Sequence, residues 1–339
     1  LLRTGMAKGD RCSGGIRRIA VVNRKNDRRV ILVTGSPRSG TTGIGTHLAL
    51  SSTSSYLHEP LNFHSGVKPV ACYFEMPGIE DAEQHRIQRL VDDIRSLRLR
   101  FKSGLFPDEP LVRKTLKAVT GARPLNSYRL CKLKWRIDNL VWKDPLAIFL
   151  SEYCIRNYGM HVVLTFRPAA AVAASFKRME WAFDLQDIVR RLSEAGIGEY
   201  QDVLDAYSSR SDEYAVNGAL LWYFIYSVSI RWSGKYPDKM ITVDAQSIIN
   251  QPLQEYERLY RRLGLPWTQQ VQSRLEKSYR PRTPLQAVPD GKRAHTRNRD
   301  LAKSNNYWKS VLNSDEKSMV KELEGLLEQE RPCGQMTVV

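Results

Sequence analysis

One short stretch near the start constrains the fold more than any other. Residues 30–34 (VILVT) are a β-branched apolar run. They lead without a break into Gly35-Ser36-Pro37-Arg38-Ser39-Gly40-Thr41-Thr42. Ile44 and Leu48 follow at helical spacing. The order is a buried strand, a glycine-rich turn and a helix. Glycines let such a turn fold so that backbone N–H groups converge. The helix that follows adds partial positive charge at its start, so the unit suits a phosphate. Thr41 and Thr42 add hydroxyl donors.

The turn has the G-x-x-x-x-G spacing of a nucleotide-binding loop, but Thr41 stands where the expected lysine would be, and Arg38 lies inside the loop. A nucleoside triphosphatase needs that lysine on the β- and γ-phosphates, and usually a set of Mg²⁺ ligands. A donor with one bridging anhydride and one transferred sulfuryl group needs less charge neutralisation. The loop is a poor kinase loop and a good one for a 5′-phosphosulfate. A P-loop kinase or NTPase-like enzyme is the alternative, and ATP binding with no preference for a 3′-phosphate would mark it.

A second buried strand covers residues 160–166 and ends at Arg167. Ser175 follows eight residues later on an alanine-rich helix expected over 169–181. The forked guanidinium and the hydroxyl together suit a second phosphate group at a strand–helix junction. Further strands are expected at 139–142 and 239–243. Helices are expected over 78–101, from Pro145 to Tyr158, and over 213–236, 252–263, 268–279 and 314–330. Alternating strands and helices predict an α/β fold with a P-loop-type central parallel sheet flanked by helices on both faces. Such sheets bind ligands at the C-terminal ends of their strands. Residues 1–28 read as a flexible basic leader and 29–335 as a single domain.

The segment GSPRSGTT resembles the 5′-phosphosulfate-binding loop of sulfotransferases that use PAPS (3′-phosphoadenosine 5′-phosphosulfate). The resemblance continues in Tyr56-Leu57-His58-Glu59-Pro60-Leu61, similar to a Glu-Pro-Leu step of carbohydrate sulfotransferases. It extends to Trp142-Lys143-Asp144-Pro145. In that family an Arg and a Ser at the spacing of Arg167 and Ser175 hold the 3′-phosphate. This chain reads Arg167-Pro168 where the family usually has Arg-Asp-Pro or Arg-x-Pro. Looser similarity covers Trp222 and Tyr226, residues 236–244, and the Leu263-Gly264-Leu265 step. It ends in a basic loop in which Arg297, Arg299 and Lys303 are candidates to close over the nucleotide.

The resemblance implies sulfuryl transfer from PAPS to a hydroxyl of a carbohydrate or glycoconjugate, leaving PAP and requiring no metal. A non-carbohydrate small-molecule acceptor is the alternative. Arg38 and the loop amides are expected on the leaving group. Lys143 assists, unless it forms a surface ion pair with Asp144. Glu59 is expected to be the base, with a pKa raised by burial, and His58 and His64 are the alternatives. Acceptor-site insertions are expected at about 62–138 and 184–214.

The net charge of +16 attracts polyanions without choosing among them. A nucleic-acid binder would interleave basic and aromatic residues on one face, whereas the aromatic residues here concentrate in apolar stretches, so no nucleic-acid partner is expected. The basic stretches, one of them over 113–136, read as solvated surface charge. Cys12, Cys72, Cys131, Cys154 and Cys333 form no CxxC pair and no zinc spacing. That odd, scattered set suits a reducing compartment. No run reaches the ~18 apolar residues of a membrane span, and the start lacks the apolar core of a signal peptide. The expectation is a cytoplasmic protein without stable membrane insertion, the alternative being a luminal domain without its anchor. Nothing in the sequence specifies an oligomeric state.

Overall fold

The structure, a computed structural model, describes residues 28–103, 122–280 and 307–330. Five strands build one sheet: β1 (Arg29–Gly35), β2 (Ser54–His58), β3 (Asn139–Lys143), β4 (His161–Phe166) and β5 (Met240–Asp244). Their spatial order is β2-β3-β1-β4-β5, and every pairing is parallel. β1 lies at the centre. The chain leaves it for β2 and β3 on one side and returns on the other for β4 and β5. The crevice at the C-terminal end of β1 is therefore the switch point of the sheet.

The helices used below are α1 (Thr41–Leu48), α2 (Asp81–Ser96), α3 (Arg123–Leu133), α4 (Ser151–Tyr158), α5 (Ala169–Met179), α6 (Leu185–Glu194), α7 (Tyr214–Lys235), α8 (Pro252–Arg262) and α9 (Gln269–Tyr279). The apolar strands are buried on both faces, and their side chains alternate between two cores. Val30, Leu32, Leu140 and Trp142 pack on one face against α2, α5 and α7. Ile31, Val33, Val141 and Val163 pack on the other against α1, α8 and α9. This is why the strands read as continuous apolar runs rather than alternating ones. Gly218 in α7 brings that helix close to α5, since an added Cβ would lie 2.6 Å from the Phe176 ring.

Three expectations change. The helix expected over 78–101 is Asp81–Ser96: Ile79 lies before it and is 70% exposed, and Leu97 turns left-handed and ends it. The helix expected from Pro145 begins as a 3-10 helix, Pro145–Leu150, before α4. Asp144 caps that start by accepting from the Leu146 N–H at 3.1 Å. β2 is a strand that the sequence pattern did not announce. Its two serines are buried at the sheet edge, where Ser55 meets Cys131 of α3.

Candidate active site at the strand ends

The turn after β1 folds as the sequence predicts, and the structure shows what forces it. Gly35 has φ 145°, and an added Cβ would lie 2.4 Å from the Thr165 carbonyl oxygen of the adjacent strand. Only glycine fits between these backbones. Ser36 and Ser39 are buried. Ser39 Oγ lies 2.5 Å from Thr165 Oγ1, and the Ser39 N–H donates to the Ser36 carbonyl at 3.0 Å. Tyr226 of α7 braces the turn from behind, donating to the Thr165 carbonyl at 2.6 Å and accepting from the Ser36 N–H at 3.4 Å. Arg38 and Gly40 both have positive φ, and α1 starts at Thr41 with no side-chain cap from Gly40. No side chain therefore caps the start of α1, an arrangement that suits an anion. Thr41 is buried and Thr42 half-buried.

The expected second phosphate site belongs to the same place. Arg38 Nε donates to Ser175 Oγ at 2.9 Å, and Arg167 Nη1 donates to the Arg38 carbonyl at 2.9 Å. Trp222 of α7 fixes the Arg167 backbone by donating to its carbonyl at 2.8 Å. Arg167 and Ser175 are buried, while Arg38 is half-buried with its guanidinium 5.6 Å from the Trp181 ring centroid. The sequence reading kept Arg38 with the 5′ group and Arg167 with Ser175. The structure joins all three, because β1 and β4 are neighbours with Gly35 opposite Thr165.

A second cluster sits at the ends of β2 and β3, where His58 pairs in register with Lys143. Glu59 follows β2 with φ 42°, an uncommon conformation for a residue other than glycine. Its N–H donates to the Lys143 carbonyl at 2.7 Å, and its carboxylate forms an ion pair with Lys143 Nζ. Lys143 is 2% exposed and does not pair at the surface with Asp144, contrary to that alternative. It runs beside α1, where Gly45 makes room for it: an added Cβ would lie 3.0 Å from Lys143 Cβ. Asp144, fully buried, accepts from the Leu61 N–H at 2.7 Å and so holds the Glu59-Pro60-Leu61 turn. His58 Nδ1 lies 2.8 Å from the Tyr56 hydroxyl, and its Nε2 lies 3.9 Å from Glu59 Oε2.

The expected upward pKa shift of Glu59 is not found. Burial pushes it up, but the Lys143 ammonium, His58 and hydrogen bonds from Lys143 and Asn62 hold it down at about 2. Asp144 goes the other way. Burial and the nearby Glu59 charge raise it to about 7, against the opposing pull of the Leu61 amide and Lys143.

The two regions expected to line an acceptor cleft meet. Phe63 and Tyr73 stack at 5.0 Å between ring centroids, and Tyr73 meets Phe183 edge-on at 5.0 Å. Arg191 of α6 donates to the carbonyls of Tyr73 and Phe74, both at 2.8 Å. His64 is exposed and contacts the Tyr73 hydroxyl at 2.8 Å, within this aromatic wall. The sequence reading missed the roles of Tyr226 and Trp222 as braces, and that of Asp144. Their apolar or charged neighbours in sequence give no sign of contacts made across the sheet. Arg297, Arg299 and Lys303 lie outside the described residues. Among the described residues no group of three His, Cys, Asp or Glu is arranged to hold a metal ion, and no helix is long and apolar enough to cross a membrane.

No protein family and no curated protein matches this chain. Among solved structures it is similar to the sulfotransferase domain from the curacin biosynthetic pathway, with 16% identity, 90% of this chain and 99% of that chain covered, and a TM-score of 0.43. It is similar to retinol dehydratase in complex with androsterone and inactive cofactor PAP, with 10% identity, coverage of 91% and 83%, and a TM-score of 0.44. A sulfotransferase from Mycobacterium tuberculosis is similar at 19% identity, with coverage of 73% and 70% and a TM-score of 0.37. At these scores none of them bears on the chemistry of the site.

Proposed function

We propose that this chain is a sulfotransferase that moves a sulfuryl group from PAPS to a hydroxyl of a carbohydrate or glycoconjugate. The observation that carries this reading is the convergence of Arg38, Arg167 and Ser175 beside the uncapped start of α1. One terminal phosphate or sulfate would be served by the turn amides alone. Two guanidinium groups and a hydroxyl next to them suit a nucleotide with a second phosphate.

In this reading the amides of residues 40–42 and the hydroxyls of Thr41 and Thr42 hold the 5′ side. Arg167 and Ser175 hold the 3′-phosphate, and Arg38 lies between the two. PAPS supplies the sulfuryl group and leaves as PAP: the bond from sulfur to the 5′-phosphate oxygen breaks as the acceptor oxygen bonds to sulfur. The rest is positioning and charge. Lys143, beside α1, neutralises charge that develops on the 5′-phosphate. As Lys143 turns toward that charge, Glu59 loses the partner that holds its pKa at about 2 and becomes a competent acceptor for the hydroxyl proton. His58 is the alternative acceptor. The basic loop with Arg297 and Arg299 is assigned the role of covering the nucleotide.

A sugar acceptor is supported by the aromatic rings of Tyr73, beside His64, and of Trp181, beside Arg38, which suit stacking beside polar groups. A second reading, a small non-carbohydrate alcohol, is favoured by the apolar character of Phe63 and Phe183 in the same wall. The test is transfer of labelled sulfate from PAPS to a panel of oligosaccharides and of phenolic, steroid and aliphatic alcohols. Acceptor-dependent release of PAP is expected, lost in Arg38→Ala. ATP hydrolysis in place of sulfuryl transfer would contradict the proposal.

A further inference from the structure

α3 covers the edge strand of the sheet, but only one side of it is used. Pro124, Ser127 and Cys131 are its buried stripe. Ser127 Oγ accepts from the His58 N–H at 2.9 Å, and Cys131 Sγ donates to the Tyr56 carbonyl at 3.4 Å. The other side presents large apolar side chains to water. Leu130 is 64% exposed, Leu133 81%, and Trp135, just past the helix end, is fully exposed at 103%. Three such residues within six positions are a patch rather than scattered surface apolar atoms.

The charge around the patch is mostly positive, with Asp138 paired to Arg136 at 2.6 Å at its far end. Residues 122–137 contain five cations and no acidic residue. Arg129, Lys132, Lys134 and Arg136 are interleaved with Leu130, Leu133 and Trp135, and all are exposed. A protein partner's apolar surface would cover the leucines but give these cations nothing. A bilayer of anionic lipid satisfies both: headgroup charge for the lysines and arginines, and the headgroup–acyl boundary for the tryptophan and leucines.

We infer that residues 129–136 form a docking surface for an anionic lipid bilayer, on which the protein rests without spanning it. The orientation follows from the contacts of α3. Its first half meets His58 at the C-terminal end of β2, while Lys134 Nζ contacts the carbonyl of Ser54 at the other end. α3 therefore runs antiparallel to β2, and Trp135 lies at the end of the sheet opposite the glycine turn. Docked this way, the protein keeps its strand-end crevice facing water. This inference does not depend on the sulfuryl-transfer reading.

The test is sedimentation of the full chain with phosphatidylcholine vesicles, with and without phosphatidylserine, for wild type and for Leu133→Ser/Trp135→Ser. That variant keeps every charge, and exposed positions leave the thermal midpoint unchanged. Wild type is expected to partition onto phosphatidylserine vesicles only, and the variant on the order of tenfold less. Brominated lipid should quench wild-type tryptophan emission more than that of Trp135→Phe. Equal partition of the variant, absence of wild-type binding, or equal binding to phosphatidylcholine alone would overturn the inference. So would a loss of duplex-DNA binding, rather than vesicle binding, in the variant.

Discussion

Arg38 Nε and Ser175 Oγ, 137 positions apart in the chain, meet at 2.9 Å across the top of the sheet. That contact closes the gap between the turn after β1 and the helix after β4. Arg167, which donates to the Arg38 carbonyl at 2.9 Å, belongs to the same junction.

Ser175→Ala removes a hydroxyl from this junction without changing the packing of α5. A hydrogen bond to a charged group contributes about 1.5–3 kcal/mol. PAP binding should weaken by roughly ten- to a hundredfold, with AMP binding nearly unchanged. Calorimetric titration of both nucleotides on wild type and variant checks this. An equal loss for both would remove Ser175 from the 3′-phosphate site.

Glu59→Gln leaves Lys143 buried without its countercharge. The expected cost is about 3 kcal/mol, at the lower end for a broken buried pair because Glu59 is 21% exposed. Turnover should also fall by at least about a hundredfold if Glu59 takes the acceptor proton. The double variant Glu59→Gln/Lys143→Met should regain most of the stability and none of the activity. Denaturant midpoints and turnover numbers, measured on the same preparations, separate the two roles.

The local part of this site was legible, and the long-range part was not. Residues 30–48 encode strand, turn and helix within one window, so the glycine turn could be read directly. β2 begins with two serines, and its stability comes from β3 and α3, which lie some eighty positions later in the chain. The position of Glu59 was readable from its neighbours, but its acidity was not, because that depends on Lys143 at the end of another strand. The contact of Arg38 with Ser175 was not among the sequence expectations. The two motifs converge because β1 and β4 are adjacent, which no local pattern states.

Two carboxyl groups predict opposite pH effects on stability. Glu59 is held at about 2, below its unfolded value of about 4.3. Its contribution is present above about 4.3 and is lost as pH falls through about 2. Asp144 is raised to about 7, above an unfolded value of about 3.9. Its contribution is full below about 3.9 and is lost as pH rises through about 7. The free energy of unfolding, from denaturant titrations, should therefore decline from pH 5 to pH 7.5 in wild type, by on the order of a few kcal/mol at most. Asp144→Asn, which does not titrate, should show a flatter profile over that range. Parallel profiles would contradict the shift of Asp144.

Gly35 and Gly43 lie eight positions apart and predict opposite signs. A Cβ on Gly35 meets the Thr165 carbonyl at 2.4 Å and needs a positive φ, whereas one on Gly43 meets nothing within 4 Å. Gly35→Ala should cost at least about 2 kcal/mol. Gly43→Ala, inside α1, should stabilise the ligand-free protein by about 0.5–1 kcal/mol. Thermal midpoints of the two variants against wild type decide the point.

The central claim is a site for a nucleotide with a 3′-phosphate, and ligand-induced stabilisation tests it most directly. PAP, ADP and AMP are compared at one concentration by the shift of the thermal midpoint. A ligand at a hundred times its dissociation constant stabilises by about 2.7 kcal/mol, so differences in affinity are readable. PAP should raise the midpoint well above ADP and AMP, and the excess should vanish in Arg167→Ala. Equal shifts for PAP and ADP would contradict the claim.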